Sequence, residues 1–227
     1  MIDKPVISAA EAARKVKSGD VLMVGGFMAC GSPHTVLEAL KAAGTSSLTL
    51  VCNDCAVHDL KSGKLNGVGH LVANRQFRKV IASHIGLNQE VQRQMNAGET
   101  EVELVPQGTL AERVRAAGAG LGGFLTPTGI GTEVEGGKNR ILVDNRPFVL
   151  EMPLKGDVAL IKAQKADRAG NLVYRGTARN FNPLMATAAS LVIAEVEEIV
   201  EIGEIDPDHV HTPSIFVDFL VKAERLD

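Results

Sequence analysis

Three short stretches place glycines or side-chain amides just past apolar runs, where a ligand oxygen would meet N–H groups. The first is Val21-Leu-Met-Val-Gly-Gly-Phe-Met-Ala-Cys-Gly-Ser-Pro33. Gly25, Gly26 and Gly31 allow backbone angles and close approaches that a Cβ blocks. Ser32 is a capping residue type, and Pro33 suits a first helical position. A strand, a glycine turn and a helix start would aim unpaired N–H groups and a helix dipole at one spot. That is a cradle for an anion or a developing oxyanion. The second stretch is Asn53 with Asp54, after the apolar run Leu48–Cys52. The third is Pro106-Gln107-Gly108-Thr109, where Gln107 can turn its amide N–H toward a ligand oxygen and Thr109 can cap a helix.

Other patterns carry less. Cys52 and Cys55 form a C-x-x-C followed by His58, but no second ligand pair stands at a zinc-site spacing. A turn with two small buried cysteines is the plainer reading. Gly118, Gly120 and Gly123 match G-x-G-x-x-G, and Asp144 follows at about the spacing of a dinucleotide site. That motif follows a strand and opens a helix. Here a helical pattern precedes it and Phe124-Leu-Thr-Pro-Thr follows, so a nicotinamide site is disfavoured. His34, His58, His70, His84, His209 and His211 pair with no nucleophile motif and read as structural or surface residues. Arg75, Arg78 and Lys79 read as a solvated edge.

The elements that must position these residues alternate. Ser8-Ala-Ala-Glu11 is a capping box opening a helix to about Lys17. The pattern then predicts a strand over Val21–Val24, a helix over Pro33–Ala43 stopped by Gly44, and a strand over Leu48–Cys52. After a polar connection over Lys61–Gly69 come a strand at Val80–Ala82, a helix at Asn88–Ala97, a strand at Val102–Val105 and a helix at Thr109–Ala117. This rhythm predicts an α/β fold with a mainly parallel open sheet flanked by helices. The three suggestive stretches then share one sheet edge. Gly118–Gly137 reads as a long functional loop. Ile141–Val143, Val158–Ile161, Leu172–Tyr174, Leu191–Val196 and Ile215–Val221 read as further strands, the last with helix as an alternative. No linker or repeat divides the chain, so one domain over 1–227 is expected.

Composition narrows the function. With 227 residues the chain can bury a sizeable core. A net charge of −3 and no basic stripe argue against nucleic acid, and the absence of tryptophan argues against base-stacking platforms. No apolar run is long enough to span a bilayer. The start Met1-Ile-Asp-Lys-Pro lacks a signal-peptide pattern, and three cysteines make no disulfide framework. A cytoplasmic protein without membrane partners is expected.

Several segments carry a resemblance. Val24-Gly-Gly-Phe-Met-Ala-Cys-Gly-Ser-Pro33 resembles the G-G-F-x-x-x-G-x-P signature of the class I (3-oxoacid type) coenzyme A transferases. Lys79–Gly86, Val105–Leu110, Gly118–Gly129, Ala178-Arg-Asn-Phe-Asn-Pro183 and Asp208–Pro213 are similar to the α subunit of bacterial acetate/acetoacetate CoA-transferases. The resemblance implies the sheet fold shared with ribose-5-phosphate isomerase and a ping-pong exchange of CoA between acyl groups through a glutamyl-CoA thioester. It implies that Gly25, Gly26, Phe27, Met28, Ala29, Cys30 and Gly31 line the CoA site, with Asn53 and Gln107 near the reacting carbonyl. It implies no metal and no permanently bound cofactor, with coenzyme A as substrate.

The family's nucleophilic glutamate lies in a Ser-Glu-Asn-Gly-type motif of the β subunit. No such motif occurs here; Glu133-Val-Glu135-Gly-Gly is the nearest. The expectation is therefore an α subunit that acts only with a β subunit, as α2β2, on short-chain acids such as acetate, acetoacetate or butyrate. Gly118–Gly131 is expected to form a lid or wall that excludes water. A sugar-phosphate isomerase or deaminase of the same fold, and a non-catalytic CoA-binding regulator, are the alternatives.

Overall fold

In a computed structural model that describes residues 3–224, helix α1 (Ala9–Lys15) starts on the expected capping box. The Ser8 side chain accepts the Glu11 N–H, and the Glu11 carboxylate accepts the Ser8 N–H. The ends of the expected 1–227 domain, residues 1, 2 and 225–227, lie outside the described range.

The chain then alternates through β1 (Val21–Val24), α2 (His34–Ala43), β2 (Leu48–Asp54), α3 (Gly69–Ala73), β3 (Phe77–His84), α4 (Gln89–Asn96), β4 (Glu101–Leu104) and α5 (Gln107–Gly118). A small excursion follows, β5 (Phe124–Thr126), β6 (Arg140–Val143) and β7 (Arg146–Glu151). The chain returns as β8 (Gly156–Asp167), β9 (Leu172–Val173), α6 (Asn182–Ala188), β10 (Ala189–Val200) and β11 (Phe219–Lys222).

The main sheet has the order β11-β10-β8-β1-β2-β3-β4, all parallel, with β9 added antiparallel to β8. This is the mainly parallel open sheet that the alternating pattern requires. Central strands read as unbroken apolar runs because both faces are covered. Leu22, Val24, Leu50 and Cys52 pack with α1 to α4 on one face. Met23, Val51, Ile81, Ala159 and Ile161 pack with α5 and α6 on the other. Alternate residues of one strand serve the two cores because strand side chains have a period of two.

Strand β1 pairs with β2 on one side and β8 on the other. The chain order therefore reverses beside β1. In open α/β sheets the crevice at the strands' carboxyl ends at such a point is where ligands sit.

Several expectations are corrected. Ser32 does not cap α2; its Oγ donates to Gly25 O, and Pro33 occupies the cap position without a side-chain bond. Helix α5 begins at Gln107, so Thr109 lies inside the helix rather than capping it. Helices α3 and α6 and strand β7 are additions to the sequence reading. Within Gly118–Gly137 lie the end of α5, strand β5 and a 3-10 turn at Glu133–Glu135. Ile141–Val143 is extended, as expected, but in a separate antiparallel sheet of order β5-β7-β6. Ile215–Val221 divides into a 3-10 turn, Ser214–Phe216, and β11. No helix among the described residues is long and apolar enough to cross a membrane.

Candidate functional site at the carboxyl edge of the sheet

The ends of β1, β2 and β3 and the start of α5 surround one cavity of about 250 Å³. Phe27, Met28 and Leu87 form its apolar rim. Asn53, Asp54, Ser83, His84 and Gln107 supply its polar atoms. All three stretches singled out from the sequence thus meet here, because parallel strands end on one side.

The polar groups form a connected network. Gln107 Nε2 donates to Asn53 Oδ1 at 2.6 Å. Asn53 Nδ2 donates to Asp54 Oδ2 at 2.7 Å, and Ser83 Oγ donates to the Asn53 carbonyl at 2.7 Å. Asp54 Oδ2 also accepts the Met28 N–H at 2.9 Å, and Asp54 Oδ1 accepts the Ala56 N–H at 2.8 Å. Asn53 and Asp54 are buried, so these bonds lie where polar groups must be satisfied. Each amide nitrogen carries two hydrogens. One is used on Asn53 and one on Gln107, which leaves one N–H on each for a ligand oxygen.

The glycine loop differs from the open anion cradle expected of it. Gly25 N–H continues the pairing to Leu160 O, and Gly26 N–H goes to Asn180 Oδ1. Phe27 and Cys30 exchange both backbone bonds, at 3.0 and 2.9 Å. Met28 N–H is taken by Asp54, and Ser32 N–H by Ala29 O. These N–H groups are spent inside the protein, whereas the side-chain amides of Asn53 and Gln107 each keep a donor at the cavity. Of the residues Gly25 to Gly31, Phe27 and Met28 line the cavity, while Cys30 lies 3.4 Å from Thr177 Oγ1 on the other side of the loop.

Two asparagines brace the loop, and the sequence reading assigned them no role beyond a motif match. Asn180 Nδ2 donates to Cys30 O at 3.0 Å. The fully buried Asn182 donates to Gly31 O at 3.0 Å and Ala178 O at 2.8 Å, and accepts the Lys162 N–H at 3.0 Å. A Cβ built on Gly25 would stand 1.8 Å from Asn182 Oδ1, so only glycine fits there. Ser83 and His84 were also missed as lining residues, although their place at the end of a strand was the available signal. His84 is the one histidine lining the cavity among the described residues.

The other sequence candidates lie elsewhere. Cys52 and Cys55 are buried in the core. The hydrogen bond to Cys55, together with burial, holds the Cys52 thiol well above its ordinary pKa, the state of an unreactive cysteine. Among the described residues no group of three or more His, Cys, Asp or Glu is placed to hold a metal ion. His211 Nδ1 accepts the Tyr174 N–H, a structural role. Gly118–Gly131 does not line the cavity. It begins where α5 ends, about 16.5 Å along that helix from Gln107, and the excursion returns to the amino end of β8. The lid expectation is thereby corrected: this segment belongs to the opposite edge of the sheet.

Comparison with known proteins gives a consistent result. A family model described as Coenzyme A transferase matches residues 6–223. One of the subunits of a probable succinyl-CoA:3-ketoacid coenzyme A transferase of Bacillus subtilis is 51% identical, over 96% of this chain and 89% of its own. The alpha subunit of the acetate CoA-transferase of Escherichia coli is 50% identical, over 92% of each chain. Among solved structures, an acyl-CoA transferase from E. coli O157:H7, in a thioester complex with CoA, superposes with a TM-score of 0.85 at 20% identity. That match covers 99% of this chain and 48% of the other, so the chain spans about half of that structure's length and shares its fold.

Proposed function

The chain belongs to the coenzyme A transferase family, and from that premise we propose that it is a single-domain α subunit of a heteromeric CoA-transferase. Its partner is a β subunit, in an α2β2 assembly, and the pair moves CoA between a short-chain acyl-CoA and a free carboxylate such as acetate, acetoacetate or butyrate. The observation that carries this reading is the Asn53–Gln107 amide pair beside Phe27 and Met28 in one cavity at the carboxyl edge. Free thiols at Cys30, Cys52 and Cys55 suit a reducing, cytoplasmic setting.

In the first step a carboxylate from a glutamate of the β chain attacks the thioester carbonyl. The carbonyl π electrons move onto oxygen, and collapse of that oxyanion breaks the C–S bond and releases CoA thiolate. The thiolate then attacks the glutamyl carbonyl of the anhydride, the acyl group leaves as a free carboxylate, and a glutamyl-CoA thioester remains. The second acid reverses these steps. Both tetrahedral oxyanions need donors fixed in advance, and the free N–H groups of Asn53 and Gln107 are such donors. Phe27 and Met28 shield the thioester from water. Asp54 is the sole carboxylate lining the cavity among the described residues, and both its oxygens accept internal hydrogen bonds. This supports a nucleophile brought by the partner.

Co-expression with a β subunit, followed by assay with acetyl-CoA and a panel of short-chain acids, tests the proposal. CoA exchange is expected only from the pair, with borohydride trapping the label on the β chain. Label on this chain would overturn the assignment. Asn53→Ala is expected to lower kcat by roughly 10²–10³ with a smaller change in KM.

A further inference from the structure

Asp54 stands at the junction between the strained loop and the amide pair, and nothing above gives it a role in the reaction. Phe27 and Cys30 close a two-residue hairpin whose central residues, Met28 and Ala29, have φ of 48° and 68°. Two positive φ values define a type I′ turn, which glycine, asparagine and aspartate favour and which methionine and alanine do not. Ala56, on the next loop, has φ of 56°. Met28 and Ala56 both present their N–H to the same carboxylate, as does the Asn53 amide. Three donors converge on a group that, when ionised, only accepts. Strained backbone of this kind persists where its surroundings over-determine it.

We propose that Asp54 is a positioning residue for CoA transfer. Its carboxylate clamps the Met28–Ala29 turn to the Asn53 side chain, which sets the cavity's apolar rim in register with the oxyanion donors. Without the clamp the turn relaxes toward ordinary angles, Phe27 and Met28 shift against the amides, and Asn53 loses the bond that orients its free N–H. Such a shift costs turnover more than binding, because the donors act on the oxyanion and not on the ground-state thioester.

The inference rests on the reading of Asn53 and Gln107 given above. The experiment measures kcat and KM for acyl-CoA on the enzyme assembled with its β subunit. Asp54→Ala is expected to lower kcat by roughly 10–100-fold, with KM changed by less than about threefold. Adding Ala29→Gly, which favours the turn on its own, is expected to recover about tenfold of the loss. Should the alanine variant fail to fold, Asp54→Asn keeps the side chain's shape and one acceptor oxygen, and a kcat loss recovered by Ala29→Gly is again expected. Normal kcat in the folded Asp54 variants, or a loss that Ala29→Gly leaves untouched, would overturn the proposal. Full kcat in Asn53→Ala would instead reject the underlying reading of the site.

Discussion

Two glycine-rich segments of this protein look alike in sequence and differ in where they sit and in what braces them. Gly25–Gly31 follows the carboxyl end of β1, at the point where the strand order reverses. Gly118–Gly131 leaves α5 at the opposite edge, before β8 begins. The first is braced by side chains from distant elements, Asp54, Asn180 and Asn182. In the second, bonds such as Thr132 Oγ1 to Gly129 O and Gly131 N–H to Glu135 join near neighbours. Neighbours fill the space around Gly25, whereas Gly120, Gly122 and Gly131 face open space. The second segment is mixed: a Cβ on Gly118 would meet Thr187 Oγ1 at 2.1 Å and one on Gly129 would meet Val134 Cγ1 at 2.8 Å, so its slack is confined to the open positions.

Substitution separates the two. Gly25→Ala drives a Cβ into Asn182 and is expected to cost about 3 kcal/mol or more, with loss of transferase activity in the assembled enzyme. Urea unfolding and a CoA-exchange assay measure both, and a near-native variant would erase the contrast. Asn182→Ala leaves Lys162 N–H, Gly31 O and Ala178 O without their partner, and is expected to cost roughly 2–4 kcal/mol by the same measurement. In the second segment Gly120 has φ of 69° in open space, so alanine there is expected to cost about 1 kcal/mol through backbone strain alone. Gly122 has neither constraint, and Gly122→Ala is expected within about 0.5 kcal/mol of the parent, with activity unchanged. A large loss of activity in that variant would restore the lid reading.

A further effect, read as a trend with pH, concerns helix α2, which starts just beyond the first segment. Its Val36 N–H donates to the buried Glu195 carboxylate at 3.1 Å. Lys162 Nζ lies 3.7 Å from the other oxygen. Burial raises the Glu195 pKa above its ordinary 4.5 despite these partners. A pKa raised by folding adds stability that is complete below the unfolded value and is lost as pH rises through the folded one. Glu195→Gln removes that titration. The stability of the parent relative to this variant is therefore expected to fall as pH rises from about 4.5, followed as the difference in Tm across a pH series. A flat difference would mean that Glu195 titrates normally.

Much of this was legible from residue order. The apolar runs of β1 and β2, the Ser8 capping box and the Gly44 stop are local signals, and the protein uses each one. Asn53 and Gln107 were reachable because parallel strands place all their carboxyl ends together. The five-residue helix α3, strand β7 and the inner structure of the glycine-rich excursion were not, because short elements carry too little periodicity to announce themselves. Ser32 shows the limit of a local rule: a capping residue type in the right place bonds instead to Gly25 O, because the loop folds back on itself.

Residue order was enough to specify the parallel α/β plan and the edge at which a ligand would sit. Both follow from strand and helix periods, which neighbouring residues set among themselves. What the site is made of depends on the assembled fold. Met28 meets Asp54 across 26 residues, Gln107 meets Asn53 across 54, and Gly31 meets Asn182 across 151. No local propensity encodes such contacts. They exist because the sheet brings strand ends and α6 within hydrogen-bond reach, which turns an apparent anion cradle into a clamped wall beside two amide donors.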